Sequence, residues 1–295
     1  MKRWQRRGLW AVHVALLTCA ALWGGGALRW HQRTAALLED LRVDRADGGP
    51  TTFDERELAP LPPVVQRFFR AALRPGQPLV ATARLRQHGT LDLATGGDWV
   101  PFTATQHVVA RGPAFVWDAV VTVAGVVPVR VHDAYVDGVG RGAAALLGLV
   151  PLGTDPTGAA EAAQRRALTE AQLLRFLAEA PWYPTALLPS QGVRWRAVDA
   201  QRAEATLTDG DATATVVFTF AADGLVESVR AAARGRLVDG VLVATPWGGR
   251  FTDRVERGGM QVPRAAEVFW QQDGEERPCW RGEIAAIDYV WCGAR

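Results

Sequence analysis

The residues best equipped for acid–base chemistry in this sequence are a histidine and an aspartate in one predicted strand. His132 and Asp133 lie in an alternating run that also contains Arg130 and Tyr135. Successive side chains of a strand point to opposite faces, so His132 and Arg130 should share one face, and Asp133 and Tyr135 the other. A catalytic histidine–aspartate pair has to converge. We therefore interpret the group as an exposed His/Arg face and a buried or edge Asp/Tyr face.

Three histidines supply a ligand type that zinc sites use. His88, His107 and His132 lie on three different predicted strands. Their spacing is long, and no H-x-H or H-E-x-x-H pair anchors them. We predict no metal and no cofactor.

Motifs for a nucleophile are also missing. The two serines, Ser190 and Ser228, stand outside any G-x-S-x-G elbow. Lys2 is the only lysine, which excludes Schiff-base chemistry and a P-loop from the rest of the chain. We predict no catalytic residue, and we favour a protein that is not an enzyme.

Aromatic and acidic residues cluster at the end of the predicted central helix. Glu179, Trp182 and Tyr183 lie there beside Pro181 and Pro184. One interpretation is a rigid aromatic rim over a cavity, with Glu179 as its polar group. The other is a structural helix stop that packs on a sheet. The residues predicted to contact a ligand are Trp117, Tyr135, Phe176, Glu179, Trp182 and Tyr183.

Seven tryptophans lie on or beside predicted strands: Trp99, Trp117, Trp195, Trp247, Trp270, Trp280 and Trp291. Most are expected in the core, because large rings dominate core burial. Some are expected to line a cavity, and alternation alone does not distinguish the two groups.

The elements that would position these residues are mostly strands. Four runs between residues 79 and 135 alternate apolar and polar residues, and seven more strands are predicted between 193 and 291. Such alternation is typical of half-buried antiparallel strands. A sheet of about eleven strands does not stay open and flat, so we predict a curled half-barrel.

Two helices are predicted beside the sheet. Residues 62–73 begin with two prolines and continue with apolar residues at helical spacing. In a second helix, Thr169 and Gln172 form a capping box and Pro181 ends the helix. This helix would cover the open side of the half-barrel and enclose an apolar cavity. The predicted fold class is α+β, mainly β, with a helical lid.

The N-terminal segment predicts a membrane anchor. Six basic and no acidic residues surround an uncharged stretch at 8–28, whose 21 residues would span about 32 Å as a helix. The positive-inside rule places the rest of the chain outside the cytoplasm, and a cleaved signal peptide is the alternative. The predicted domains are an anchor at 1–33, a juxtamembrane helix and linker at 34–58, and an exported half-barrel at 59–295.

Charge argues against a nucleic-acid partner. Subtracting the six N-terminal basic residues from the total of 33 leaves 27 basic against 31 acidic residues, a net charge of about −4. A nucleic-acid binder needs a basic face with interleaved aromatic residues. The exported part has none.

Two cysteines near the C-terminus raise the question of a disulfide. Cys279 and Cys292 could pair outside the cytoplasm if a hairpin turn lay between them. One continuous strand would instead hold them about 40 Å apart, which is too far for a disulfide.

Several segments resemble an uncharacterised bacterial family of membrane-anchored or exported proteins, known as a domain of unknown function. They are LPPVVQRFFRAAL, FVWDA, VHDAYVDGVG and LTEAQLLRFLAEAPWYPTALLP, the last followed by a Val-Arg-Trp strand. The likeness runs from about residue 60 to 291 and is most specific around LAEAPWYPTALLP. The family implies no activity. By architecture only, the order of elements also resembles the lipoprotein-carrier half-barrel, whose cavity holds acyl chains beneath helices.

These observations favour an extracytoplasmic protein that binds an apolar or lipid-like ligand. A hydrolase is the first alternative, and it requires at least two of Glu179, Asp133, His132 and Asp137 to meet in one pocket. A scaffold in an envelope complex is the second, and it requires an exposed apolar patch or an unpaired sheet edge.

Overall fold

The computed structural model describes residues 3–41, 49–92, 97–152, 159–238 and 240–293. Within them, thirteen antiparallel strands form one sheet, accompanied by three α-helices. The helices are α1 (Arg3–Asp40), α2 (Pro63–Ala72) and α3 (Ala159–Glu179). The strands are β1 (Val80–Asp92), β2 (Trp99–Val109), β3 (Ala114–Val123), β4 (Val127–Val136), β5 (Val139–Leu146), β6 (Val150–Pro151), β7 (Arg194–Ala197), β8 (Arg202–Asp209), β9 (Ala212–Phe220), β10 (Val226–Val238), β11 (Val241–Arg257), β12 (Met260–Gln272) and β13 (Glu275–Trp291).

Strands that are neighbours in the sheet are also neighbours along the chain, with one exception. The order is β6-β5-β4-β3-β2-β1-β13-β12-β11-β10-β9-β8-β7, so two meanders join where β1 pairs with β13. The open edges are β6 and β7, and α3 lies between these strands in the chain. The segment that connects the two edge strands, which contains α3, therefore runs across one face of the sheet.

One hydrogen bond shows how strongly the sheet curls. Tyr135 at the end of β4 donates from its hydroxyl to Asp209 Oδ2 at the end of β8, at 2.8 Å. These strands are nine steps apart in the sheet order, which in a flat sheet corresponds to about 43 Å. The two arms therefore bend towards each other across a concave face, as the predicted half-barrel requires.

Helix α3 packs on the concave face, where it contacts β4, β5, β9 and β10. Its residues Leu173, Phe176 and Leu177 are buried in the main core. At Gly140 of β5 the helix comes so close that an added Cβ would lie 2.5 Å from the Cα atom of Thr169. The backbone N–H of Gly140 donates to the Thr169 hydroxyl at 3.0 Å, which fixes the helix on the sheet.

The predicted class, α+β and mainly β with a curled antiparallel sheet, is confirmed, but the strand count, the start of the central helix and the N-terminal membrane span differ from the prediction. The strand count is thirteen within the described residues rather than about eleven, because β5 and β6 were not predicted. The β5 sequence, VGRGAAAL, consists mostly of glycine and alanine and shows no alternation of large apolar residues. The prediction that Thr169 and Gln172 form a capping box is wrong. Helix α3 already begins at Ala159, and the Thr169 hydroxyl donates to the carbonyl of Arg165 within the helix.

The last turns of α1 pack on the outer face of the sheet. Leu37, Leu38 and Leu41 meet a small apolar cluster there, formed by Val109, Ala114, Val116, Ala134 and Val136. Among the described residues, no helix combines the length and the apolar character that crossing a membrane requires. The predicted membrane-spanning helix at 8–28 is thus not supported. The stretch is helical, but His13, Thr18 and three glycines interrupt its apolar sequence.

Candidate functional site

A cavity of about 310 Å³ lies on the concave face, between the end of α3 and the strands around the β1–β13 junction. This volume is at the lower end of the range of ligand pockets, about 300–1,000 Å³. Its apolar wall includes Trp117, Val131, Trp182, Val229, Trp247, Phe251, Val268, Trp270 and Trp280. The ionisable residues of the wall are Asp92, Asp133, Arg175, Glu179, Arg234, Glu267 and Cys279.

The indole of Trp182 is held by the turns that follow α3. Three short 3-10 turns occupy residues 180–191. Tyr289 Oη donates to the Trp182 carbonyl at 2.6 Å, and Trp195 Nε1 donates to the Leu187 carbonyl at 3.0 Å. The hydroxyl of Thr185 accepts from the Val80 N–H at 3.0 Å. This segment is therefore tied to β13, to β7 and to the start of β1.

Trp117 and Glu179 stand at the two ends of a chain of buried hydrogen bonds. Trp117 Nε1 donates to Gln87 Oε1 at 2.8 Å, and Gln87 Nε2 donates to Gln106 Oε1 at 2.8 Å. Gln106 Nε2 completes the chain by donating to Glu179 Oε2 at 2.6 Å. The chain links β3, β1 and β2 to the end of α3, so it fixes the polar side of the cavity.

Arg175 joins two carboxylates in the cavity wall. Its Nη1 lies 2.6 Å from Asp133 Oδ2, and its Nε lies 2.7 Å from Glu179 Oε1. The guanidinium also lies over the ring of Trp117, 4.8 Å from the centroid. Burial alone would lower the pKa of Arg175, but the charges of Glu179 and Asp133 outweigh it and raise the pKa. The three side chains form a charge cluster that binds α3 to β4.

Arg234 reaches the cavity through a bulge in β10. Ala231 pairs with Trp247, but Arg234 pairs with Thr245, so β10 contains one extra residue between these two pairs. A bulge of this kind reverses the alternation that follows it. Without the extra residue, alternation from Ala231 would turn Arg234 away from the cavity. With it, the Arg234 side chain points inward. Sequence analysis missed this residue, because nothing in the sequence marks the bulge.

Three of the six predicted ligand contacts line the cavity. They are Trp117, Glu179 and Trp182. Trp182 is almost fully buried and packs edge-on against Phe251, with ring centroids 5.8 Å apart. Both interpretations of the cluster at the end of α3 therefore apply, since it packs on the sheet and also borders the cavity.

The other three predicted contacts lie elsewhere in the core. Phe176 and Tyr183 pack on each other with centroids 5.6 Å apart, and Tyr183 Oη donates to the Phe176 carbonyl at 2.9 Å. Tyr135 belongs to the bond with Asp209 that joins the two arms of the sheet. None of these three residues is part of the cavity wall.

His132 lies on the outer face, away from Asp133, as alternation predicted, but it is buried rather than exposed. Its ring stacks on Trp30 of α1 with centroids 4.2 Å apart. His132 Nε2 lies 2.8 Å from the Thr34 hydroxyl and 3.3 Å from Asp118 Oδ1. The sequence could not indicate this burial, because it comes from the docking of α1.

The remaining candidates do not form a metal site or a disulfide. In the part of the chain that the structure describes, no group of three metal-ligating residues is found, so His88, His107 and His132 do not meet. Cys279 lies within the continuous strand β13 and Cys292 just beyond it, and both are free thiols. Burial raises the pKa of Cys279 to about 11, which keeps this cavity thiol protonated at neutral pH.

The fold and the cavity define an open β half-barrel protein with a mostly apolar cavity on its concave face. The chain belongs to a family of unknown function, DUF6920, whose pattern matches residues 59–289. The family resemblance predicted from the sequence is thus confirmed. Comparison with the curated proteins finds no match.

Three solved structures are similar to the chain at low sequence identity. A Vibrio parahaemolyticus domain described as a candidate outer membrane lipoprotein-sorting protein shares 10% identity and covers 79% of this chain and 92% of its own, with a TM-score of 0.38. The LolA superfamily protein NE2245 from Nitrosomonas europaea shares 10% identity over 76% and 92%, with a TM-score of 0.36. A DUF1329 family protein from Desulfovibrio piger shares 11% identity over 73% and 88%, with a TM-score of 0.38.

Proposed function

We propose that this protein binds an apolar or lipid-like ligand in the cavity of its half-barrel and carries out no catalysis. The observation that carries the proposal is the cavity itself, whose wall includes five tryptophans. Ligand sites in proteins are typically concave and mostly apolar, with aromatic side chains and a few polar groups in their walls. A cavity of about 310 Å³ with an aromatic wall is therefore a site to be filled.

In this proposal Trp117 and Trp182 contact the ligand directly, and Glu179 marks the polar end of the cavity. Phe176 and Tyr183 act indirectly, because their packing on each other holds the other residues of the aromatic rim, Glu179 and Trp182, in place. Tyr135 acts at longer range by joining the two arms of the sheet.

The two alternatives find less support. Asp133 and Glu179 do lie in one cavity, but Arg175 engages both carboxylates, His132 lies on the outer face, and Asp137 sits in the turn after β4. We infer that the carboxylates hold α3 in place. The sheet edges that a scaffold would use are strands of only two and four residues, β6 and β7. Such short edges are poor templates for another chain.

The location outside the cytoplasm stays a prediction. It rests on the uncharged N-terminal stretch and its basic flanks. The domain boundary at residue 59 also stays a prediction. Ligand binding in the cavity depends on neither.

A cavity-filling substitution tests the proposal. Ala266 lines the cavity, and Ala265 beside it on β12 has the opposite orientation. We expect the full-length protein to bind the neutral fluorophore N-phenylnaphthylamine, and dodecanol to displace it. Because a phenyl ring at position 266 occupies the cavity, Ala266→Phe should weaken binding by about tenfold or more.

The matched control is Ala265→Phe, which adds the same ring outside the cavity and should leave the affinity unchanged. Circular dichroism would verify that both variants are folded. A wild-type protein that does not bind the fluorophore, or equal losses in both variants, would contradict the proposal.

A further inference from the structure

Arg234 is a cation of the cavity wall that lacks a carboxylate partner. Its guanidinium lies over two indole rings, 5.2 Å from the centroid of Trp247 and 5.6 Å from that of Trp270. Its Nε donates to the Ala171 carbonyl at 3.3 Å. Among the described residues, no Asp or Glu oxygen lies within ion-pair distance of it, in contrast to Arg175, which has two. A guanidinium has five N–H donors, so most of its capacity is unused.

Two indole N–H groups in the same wall also lack an acceptor. Trp182 and Trp247 are 2% and 5% exposed, and the Nε1 atom of each is buried with no hydrogen-bond partner in the described part of the chain. Buried polar groups in native proteins nearly always have partners, so each exception calls for an explanation. Arg234 and these two indoles thus place three side chains with donors that lack an acceptor among the described residues in the wall of one cavity, and a hydrocarbon ligand alone would satisfy none of these donors.

We propose that the ligand is an anionic amphiphile whose carboxylate or phosphate group is bound by Arg234, with its hydrocarbon chain against the aromatic wall of the cavity. This inference rests on the proposed function and specifies its ligand class. Arginine binds both groups well, because its planar fork matches two oxygen atoms at once.

The charges of Asp133, Arg175 and Glu179 also act on Arg234. Burial and the charge of Arg175 lower the pKa of Arg234, and the negative charges of Asp133 and Glu179 offset this only in part. The cluster of Asp133, Arg175 and Glu179 carries one negative charge in excess, and it attracts Arg234 without contacting it. The competing role for Arg234 is therefore to balance this cluster, and the two roles predict different ligand preferences.

Ligands that differ only in their head group distinguish these roles in the wild-type protein. The full-length chain would be titrated calorimetrically at neutral pH with dodecanoate and dodecyl phosphate, each below its micellar concentration, and with dodecanol below its solubility limit. We expect one or both anions to bind about 10- to 100-fold more tightly than dodecanol, the effect of charge-assisted hydrogen bonds. The ratio between the two anions then identifies the carboxylate or the phosphate as the natural head group.

Substitution of Arg234 assigns the preference to this residue. Arg234→Met should abolish the preference for anions while the affinity for dodecanol stays within about twofold, since the tail contacts remain. Arg84→Met removes a charge from an exposed position of β1 and should retain the full preference. Equal affinities of the wild-type protein for the anions and dodecanol would overturn the inference and leave the proposed function standing. A preference that survives in Arg234→Met would also overturn it. Failure of all three ligands to bind would overturn both proposals.

Discussion

At the residue scale, the most consequential side chain is Arg175, because it satisfies two carboxylates in a partly buried place. Its side chain is 12% exposed, and those of Asp133 and Glu179 are 29% and 16% exposed. Glu179 is in turn the end of the hydrogen-bond chain through Gln106. Removal of the cation would leave two negative charges facing each other near apolar rings, which is costly.

This cluster predicts a large loss of stability for one substitution. Arg175→Met should lower the free energy of unfolding by about 3 kcal/mol or more, because both carboxylates lose their partner. Urea unfolding followed by circular dichroism would measure it. Arg194→Met, at an exposed position of β7, is the control and should change stability by less than about 0.5 kcal/mol. Similar values for the two variants would show that the cluster does not hold α3 on the sheet.

Side-chain orientation could be predicted from the sequence in regular strands but not after a bulge. The orientations of Gln106, Trp117 and Asp133 followed from alternation, since all three face the cavity side of regular strands. Arg234 could not be predicted in the same way, because the bulge after Ala231 reverses the alternation. A bulge depends on how two strands pair, and a single strand's pattern does not contain that information.

At the element scale, the docking of α1 on the outer face of the sheet is the feature that sequence analysis did not predict. A juxtamembrane helix that begins at residue 34 was predicted, but its partner, the outer face of β3 and β4, was not. A small polar cluster anchors the contact. Asp118 accepts from Trp30 Nε1 at 2.9 Å and from the Thr34 hydroxyl at 3.2 Å, and His132 lies against it at 3.3 Å.

The pKa of Asp118 gives this docking a pH dependence. Burial alone would raise the pKa of Asp118, but hydrogen bonds from His132, Trp30 and Thr34 bring it below its ordinary value of 3.8. A carboxyl group with a lowered pKa contributes stability that is complete above its unfolded pKa and is lost as the pH falls through its folded pKa. The contribution of Asp118 should therefore be present at neutral pH and should disappear below pH 3.8.

Asp118→Asn tests this account through the pH profile of unfolding. At neutral pH we expect the variant to be less stable by about 1–3 kcal/mol, because the ionised acceptor is lost. Below the pKa that Asp118 has in the folded protein, the difference in unfolding free energy between the variant and the wild type should shrink towards zero. Asp288→Asn, on an exposed position of β13, should follow the wild-type profile throughout. A constant difference between Asp118→Asn and the wild type from pH 7 down to pH 2 would refute the assignment.

At the scale of the whole molecule, two meanders curl around α3, and the cavity lies where they join. The sequence predicted the curl from the number of strands and the lid from the position of the central helix. The pairing of β1 with β13, which places the cavity, was not predicted, because it depends on a contact between distant segments of the chain. Tyr135 and Asp209 complete the shape by joining the arms without pairing the edge strands.

The claim that unites these scales is that the space between α3 and the sheet holds the hydrocarbon chain of a ligand. A crystal structure of the full-length protein with bromododecanoate tests it most directly, because the anomalous signal of bromine locates the tail. We expect this signal among Trp117, Trp182 and Trp280, with the carboxylate beside Arg234. A tail found only on the outer surface, or a cavity filled by its own side chains, would contradict the account.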